Sequence, residues 1–248
     1  MGQHGDHRVS RYAVVDAFRG VAIWLMFVYH FSWDLTYFGF ADFQVTTDPA
    51  WIWFARIIAG TILLVMGISQ AIAAERDFVR ATFLKRLTII VACAAGISAA
   101  TYMVDPNSFI FFGILHHITI ASILMLAIIR MQTQNLVILA GVCLLMPLFF
   151  THEIFFAPWL WWVGLSPVSP PTIDYVPLLP WLGISIIGVL IGRTWFTGRE
   201  PGALAAWKPS SLLSKLIHGA GKHSLLLYMI HQPILFGGCY GIYWILNS

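Results

Sequence analysis

The chain has 248 residues, of which 59% are hydrophobic and only 10% charged, with a formal net charge of +3. A soluble domain carries about 25% charged residues, so this composition cannot build a water-facing shell, and so small a positive charge gives no argument for nucleic acid. Three cysteines, Cys93, Cys143 and Cys239, stand singly in apolar runs. That excludes a disulfide framework and a CxxC site, and reads them as small core residues.

The first sixteen residues are polar, and no small-residue cleavage site follows the first apolar run, so no cleavable signal peptide is expected. Residues 1–15 are expected to form a cytoplasmic segment ahead of one transmembrane domain that fills the chain. Apolar runs then predict seven spans, at about 16–33, 51–73, 83–104, 108–129, 135–151, 176–196 and 222–246. Each approaches the roughly 20 residues needed to cross a bilayer. Between the fifth and sixth, Phe155 to Pro171 is too short to cross and carries Trp159, Trp161 and Trp162. Tryptophan favours the membrane interface, so this stretch is expected to be interfacial or re-entrant. The predicted fold is all-α: a polytopic bundle of about seven helices with no internal repeat.

Charge sets the expected orientation. Arg8, Arg11, Arg76, Arg80, Lys85, Arg86, Arg130, Arg193, Arg199, Lys208, Lys215 and Lys222 fall at the N-terminus or in the loops after spans two, four and six. The alternate loops hold Asp34, Asp42, Asp48, Asp105, Glu153 and Asp174 with no basic residue. Positive residues stay inside, which puts the N-terminus in the cytoplasm and the C-terminus outside.

Arg19 and Arg56 are the two basic residues within spans, and Asp16, His30, His116, His117 and His231 join them. An ionisable group in hydrocarbon costs roughly 2.5–3.5 kcal/mol on insertion scales, so it faces a partner or a cavity. Asp16 and Arg19, three apart, share a helix face and read equally as a structural ion pair or as a site for an anionic ligand. His30 and Asp34 are four apart, the arrangement in which a carboxylate orients and charges an imidazole for general-base work. A lone interfacial histidine with satisfied bonds is the competing view. His116 and His117 point about 100° apart on a helix, so at most one can face a cavity, and His231 is either a cross-helix hydrogen-bonding residue or a site residue. With Arg56, the histidines are expected to converge on a cavity that opens outward. There is no HExxH, GxSxG or Walker motif and no metal-ligand spacing.

Several segments carry a resemblance. Arg11-x4-Asp16-Ala17-Phe18-Arg19-Gly20 followed by His30-Phe31-Ser32-Trp33 resembles the opening of the heparan-α-glucosaminide N-acetyltransferase catalytic domain family. Phe112-Gly113-Ile114-Leu115-His116-His117 is similar to its G-[IV]-L-[QH]-R segment, with His117 in place of the usual basic residue. Pro177 to Gly183 resembles its proline-tryptophan span start. Gly221-Lys222-His223-Ser224, Tyr228 and His231 resemble the last helix of the wider membrane acyltransferase group, which includes acyltransferase family 3. The resemblance implies acetyl transfer from cytoplasmic acetyl-CoA to an amine or hydroxyl of a sugar-like acceptor on the outer side, in a bacterial-type cytoplasmic membrane and without a metal. It implies that Arg11, Asp16, Arg19, Arg86 and Lys222 serve the donor. His30, Asp34 and His231 would serve catalysis, and Arg56, His116, Trp33, Ser224 and Tyr228 the substrate and oxyanion. His30 acts either as base or as a nucleophile carrying acetyl. The expected partners are acetyl-CoA, the acceptor and the bilayer, with a homodimer left open. A proton-coupled transporter would bury similar residues but more often shows a repeat, and a haem carrier would need paired axial histidines.

Overall fold

A computed structural model describes residues 12–75, 79–197 and 204–248. The described residues form eight α-helices and no strand: α1 (Ala13–Tyr37), α2 (Pro49–Ala74), α3 (Arg80–Val104), α4 (Ile114–Ile128), α5 (Thr133–Phe149), α6 (Leu178–Trp195), α7 (Leu212–Lys222) and α8 (Ser224–Asn247). Five of them, α1, α2, α3, α6 and α8, are long and apolar enough to cross a membrane, while α4 and α5 are shorter apolar helices.

Local chemistry sets the ends. α2 starts where Asp48 accepts a hydrogen bond from the Ala50 amide at 2.7 Å, with Pro49 in the first turn; a proline there loses no helical bond. α1 stops at Phe38, after which Gly39 adopts φ 75°, a left-handed conformation glycine takes without a Cβ penalty. At its far end α4 is held by Arg193 of α6, whose guanidinium donates to the carbonyls of Ile129 and Met131. The first is the C-cap carbonyl of α4 and the second lies just past it, so a cation meets the helix C-terminus.

The core gathers around α6, which packs against α2 and α5. Ile186 and Val189 of α6, Met125 of α4 and Leu136 of α5 are buried together. On the α2 side the helices touch through glycine. A Cβ on Gly67 would overlap the Ser185 carbonyl, and one on Gly188 would overlap that of Leu64. Small residues permit such backbone contact between helices in lipid, where burial of apolar surface gives no net drive. By contrast α3 and α8 bury few residues, Ile90 and Ala94 in one and His231 and Cys239 in the other.

Two expectations need correction. The fourth apolar run was expected to be helical from 108, but α4 begins at Ile114. Residues ahead of it are laced to the loop before α6 instead: Thr172 Oγ1 donates to the Phe109 carbonyl and receives the Phe111 amide, and the Val176 amide bonds Phe112. The second is α7, an eleven-residue helix that the apolar runs did not predict. Ser211 caps it, and it crosses α1 where Gly20 meets Gly221. The tryptophan-rich stretch forms two short 3₁₀ turns, Glu153–Phe156 and Pro158–Val163, tied down by Trp161 Nε1 on the Phe156 carbonyl.

Candidate functional site

Residues near the start of α1 form a polar knot. Arg19 donates to Asp16 Oδ1 and to Ser69 Oγ of α2, both at 2.7 Å, and reaches the Gly221 carbonyl of α7 at 3.5 Å. His218 of α7 approaches the other Asp16 oxygen at 3.8 Å. Asp16 is buried, so the pair is a junction of three helices. Arg19 nevertheless keeps a face on a narrow cleft of about 130 Å³ between α1, α2, α3, α4 and α8, which Arg86, Ser224 and Tyr228 also line. Lys222, at the end of α7, is exposed. Arg11 lies outside the described residues.

Some eleven residues further along α1, roughly 16 Å at 1.5 Å per residue, His30 meets α8. Its ring centroid lies 4.8 Å from that of His231, edge to face at 61°. His231 is buried and stacks on Phe27 with centroids 5.5 Å apart. Its Nδ1 lies 2.6 Å from the Tyr228 carbonyl. A carbonyl only accepts, so this contact places the proton on Nδ1 and leaves Nε2 as the lone-pair nitrogen. That Nε2 is buried with no partner. Tyr228 belongs both to the cleft wall and, with its ring 5.7 Å from His231, to this cluster.

The expected His30–Asp34 pair is not formed. Asp34 is fully buried, and its Oδ1 accepts from Gln232 Nε2 of α8 at 2.8 Å, while Oδ2 and Gln232 Oε1 are unpartnered. A shared helix face allows the i,i+4 contact, but the neighbouring helix offers an amide donor, and a buried carboxyl takes it.

Other expected residues go elsewhere. Arg56 is exposed with its guanidinium 5.1 Å over the Trp53 ring, a cation–π contact. His116 bridges the Gly113 amide and Ser98 Oγ of α3, each at 3.2 Å, and so ties α4 to α3. His117 is fully buried, Nδ1 against the Pro177 carbonyl at 3.2 Å. Trp33 stacks on Tyr37 with centroids 5.1 Å apart. Ser224 lines the cleft at the Arg19 end. Tyr228 donates its hydroxyl to Asp174 Oδ2 at 3.1 Å, which occupies the one proton an oxyanion would need.

Asp174 and Gln232 are site neighbours that sequence reasoning missed. Asp174 has φ 50° and also receives the Ile114 amide at 3.5 Å. Desolvation by the protein packed around the carboxyl pushes it up to about 6, although the residue as a whole is exposed. In the sequence it counted only as one outer-loop charge, and Gln232 is an uncharged side chain beside a proline. Among the described residues no three His, Cys, Asp or Glu come together as metal ligands.

Among the described residues, a helical bundle with five apolar helices of membrane-crossing length defines a polytopic membrane protein, and it sets His30 of α1 against the buried His231 of α8, close to a cleft that Arg19 and Arg86 line. Residues 11–233 match the family described as heparan-alpha-glucosaminide N-acetyltransferase, catalytic, and the chain belongs to that family of membrane acetyltransferases. No curated protein and no solved structure matches it.

Proposed function

We propose that the protein transfers an acetyl group from cytoplasmic acetyl-CoA to an amine or hydroxyl of a sugar-like acceptor on the outer side of the membrane. The observation that carries this reading is the cleft running from Arg19 and Arg86 to Tyr228, beside the His30–His231 pair. Guanidinium groups suit CoA phosphates, and the slender pantetheine arm suits a cleft; the nucleotide stays at the mouth with Lys222 and Arg11. Seven crossings, counting α4 and α5, keep the basic loops inside and leave residues 34–50 outside.

In the reaction the acceptor nitrogen or oxygen attacks the thioester carbonyl while His30 takes its proton. The C–S bond then breaks, and the CoA sulfur leaves with the proton returned through His30. His231 supports this exchange: its Nδ1–H is held by the Tyr228 carbonyl, so its Nε2 can accept from His30 as His30 becomes an imidazolium. Asp34 acts through Gln232 and α8 rather than on His30. With Arg56 on an exposed face and the Tyr228 proton held by Asp174, the oxyanion falls to a tryptophan N–H, and Trp33 lies one turn from His30.

Purified protein in sealed vesicles tests this. Acetyl-CoA on the cytoplasmic face with glucosamine on the opposite face is expected to give N-acetylglucosamine and free CoA in equal amounts. Glucosamine supplied only on the acetyl-CoA side, if acetylated equally fast, would overturn the cross-membrane assignment. Arg19→Gln is expected to weaken CoA binding about ten- to a hundredfold, as loss of a charge-assisted hydrogen bond predicts.

A further inference from the structure

The loop after α1 builds a second concave site, one that shares Trp33 with the reacting centre and otherwise lies beyond it. Residues 38–48 are fixed rather than loose. Thr36 Oγ1 bonds both the amide and the carbonyl of Phe43, at 3.3 and 3.2 Å, and Val45 is 3% exposed, an apolar anchor under the loop. The Thr47 and Asp48 amides close back on the Gln44 carbonyl. The result is a pocket of about 300 Å³ walled by Trp33 and Tyr37 and rimmed by Asp42, Gln44 and Thr47.

Its two walls differ in chemistry. Trp33 and Tyr37 stack on each other, 19° apart, and Tyr37 is 61% exposed, so the stacked pair gives the pocket an apolar aromatic wall with a wet edge. The same pocket is lined by a chain of polar side chains: Thr47 Oγ1 donates to Gln44 Oε1 at 3.0 Å, and Gln44 Nε2 donates to Asp42 Oδ1 at 3.3 Å. An apolar face against a few convergent hydrogen-bonding groups is how a site orients a ligand that is apolar on one side and hydroxylated at its edge. A pyranose ring is such a ligand. Trp33 is three residues from His30, so the pocket opens one turn beyond the reacting centre.

Charge narrows the choice. Residues 34–50 contain Asp34, Asp42 and Asp48 and no Lys, Arg or His, and Arg56 does not line the pocket. A sulfate or uronate would meet the Asp42 carboxylate with no counter-cation. We propose that this pocket is a saccharide subsite that holds the sugar next to the one acetylated, and that it accepts neutral or amino sugars and rejects sulfated ones. The assignment rests on the acetyl-transfer reading, since only that makes the neighbouring ring relevant.

The test compares three acceptors on the wild-type protein: glucosamine, its β-1,4-linked dimer, and the 6-O-sulfated dimer. The dimer is expected to be used about tenfold better than the monomer through a lower KM, and the sulfated dimer about tenfold worse than the plain one. Tyr37→Leu and Gln44→Ala remove the dimer's advantage and leave the monomer's kcat/KM unchanged. Asp42→Lys narrows the penalty on the sulfated dimer, and Asp42→Asn does so partly. Equal use of monomer and dimer, or a preference that survives Tyr37→Leu, overturns the proposal. If no sugar is acetylated while acetyl-CoA still binds, the acetyl-transfer reading fails on its own. Saturation-transfer NMR then decides the subsite: dimer binding lost in Tyr37→Leu supports it, and no dimer binding to the wild-type protein overturns it.

Discussion

Gln232 on α8 donates its side-chain amide to the Asp34 carboxylate on α1 across 2.8 Å, which commits Asp34 to the neighbouring helix instead of to His30 four residues before it. Asp34 is fully buried and its second oxygen is unpartnered. The bond therefore fastens α8 to α1 one turn beyond His30, next to His231.

Gln232→Leu is expected to lower unfolding free energy by about 1–2 kcal/mol, the cost of stranding a buried polar partner. Joining it with Asp34→Leu should restore part of the loss, because both polar groups are then gone. Thermal unfolding in detergent reads both. A Gln232→Leu protein as stable as wild type would remove the bond from the account.

The crossing of α1 and α7 makes a steric prediction. A Cβ at Gly20 would overlap the Ile217 carbonyl and one at Gly221 would overlap that of Asp16, whereas Gly219 faces open space. Gly20→Ala and Gly221→Ala should each cost about 1–3 kcal/mol through overpacking, and Gly219→Ala should be near neutral. Comparable stability for all three would mean that α7 does not pack here.

Asp174 predicts a pH dependence. Its carboxyl, outside the spans, is raised from the ordinary carboxylate range to about 6 by desolvation. Between pH 4 and 6 the folded state holds a proton that the unfolded state has released, so this stabilising contribution is full at low pH and fades as pH rises through about 6. Asp174→Asn is expected to flatten stability against pH over that window. An unchanged slope would show that Asp174 titrates normally.

Topology follows from charge. A single cysteine at Asp42, in a chain whose three native cysteines are replaced, should react with an impermeant thiol reagent in intact cells. Labelling only after the membrane is opened would reverse the orientation.

Much of the bundle was legible because apolar runs stop at strong local signals. Asp48-Pro49 opens α2, and Asp105-Pro106 follows α3, so those edges fall within a few residues of the expected ones. The start of α4 was not legible, since Phe109 to Phe112 are as apolar as a helix and only the cross-loop bonds to Thr172 and Val176 show that they are a cap. α7 was hidden by its brevity and its glycines, which matter for contact with α1 and look like linker in isolation. In the site, His30 and His231 were readable as ionisable groups within spans, and Arg19 with Asp16 by spacing. Partner choice was not, because it depends on the facing helix: Asp34 took Gln232, and Arg56 took Trp53.

Single-turnover acetyl transfer by His30→Ala, set beside CoA-induced thermal stabilisation of the same protein, tests the central claim most directly. Loss of a general base costs about 10²–10⁴ in rate, and His30 lies roughly 16 Å along α1 from Arg19. The account therefore predicts a rate reduced at least a hundredfold with the CoA-induced shift retained. Transfer within a few-fold of wild type would contradict it.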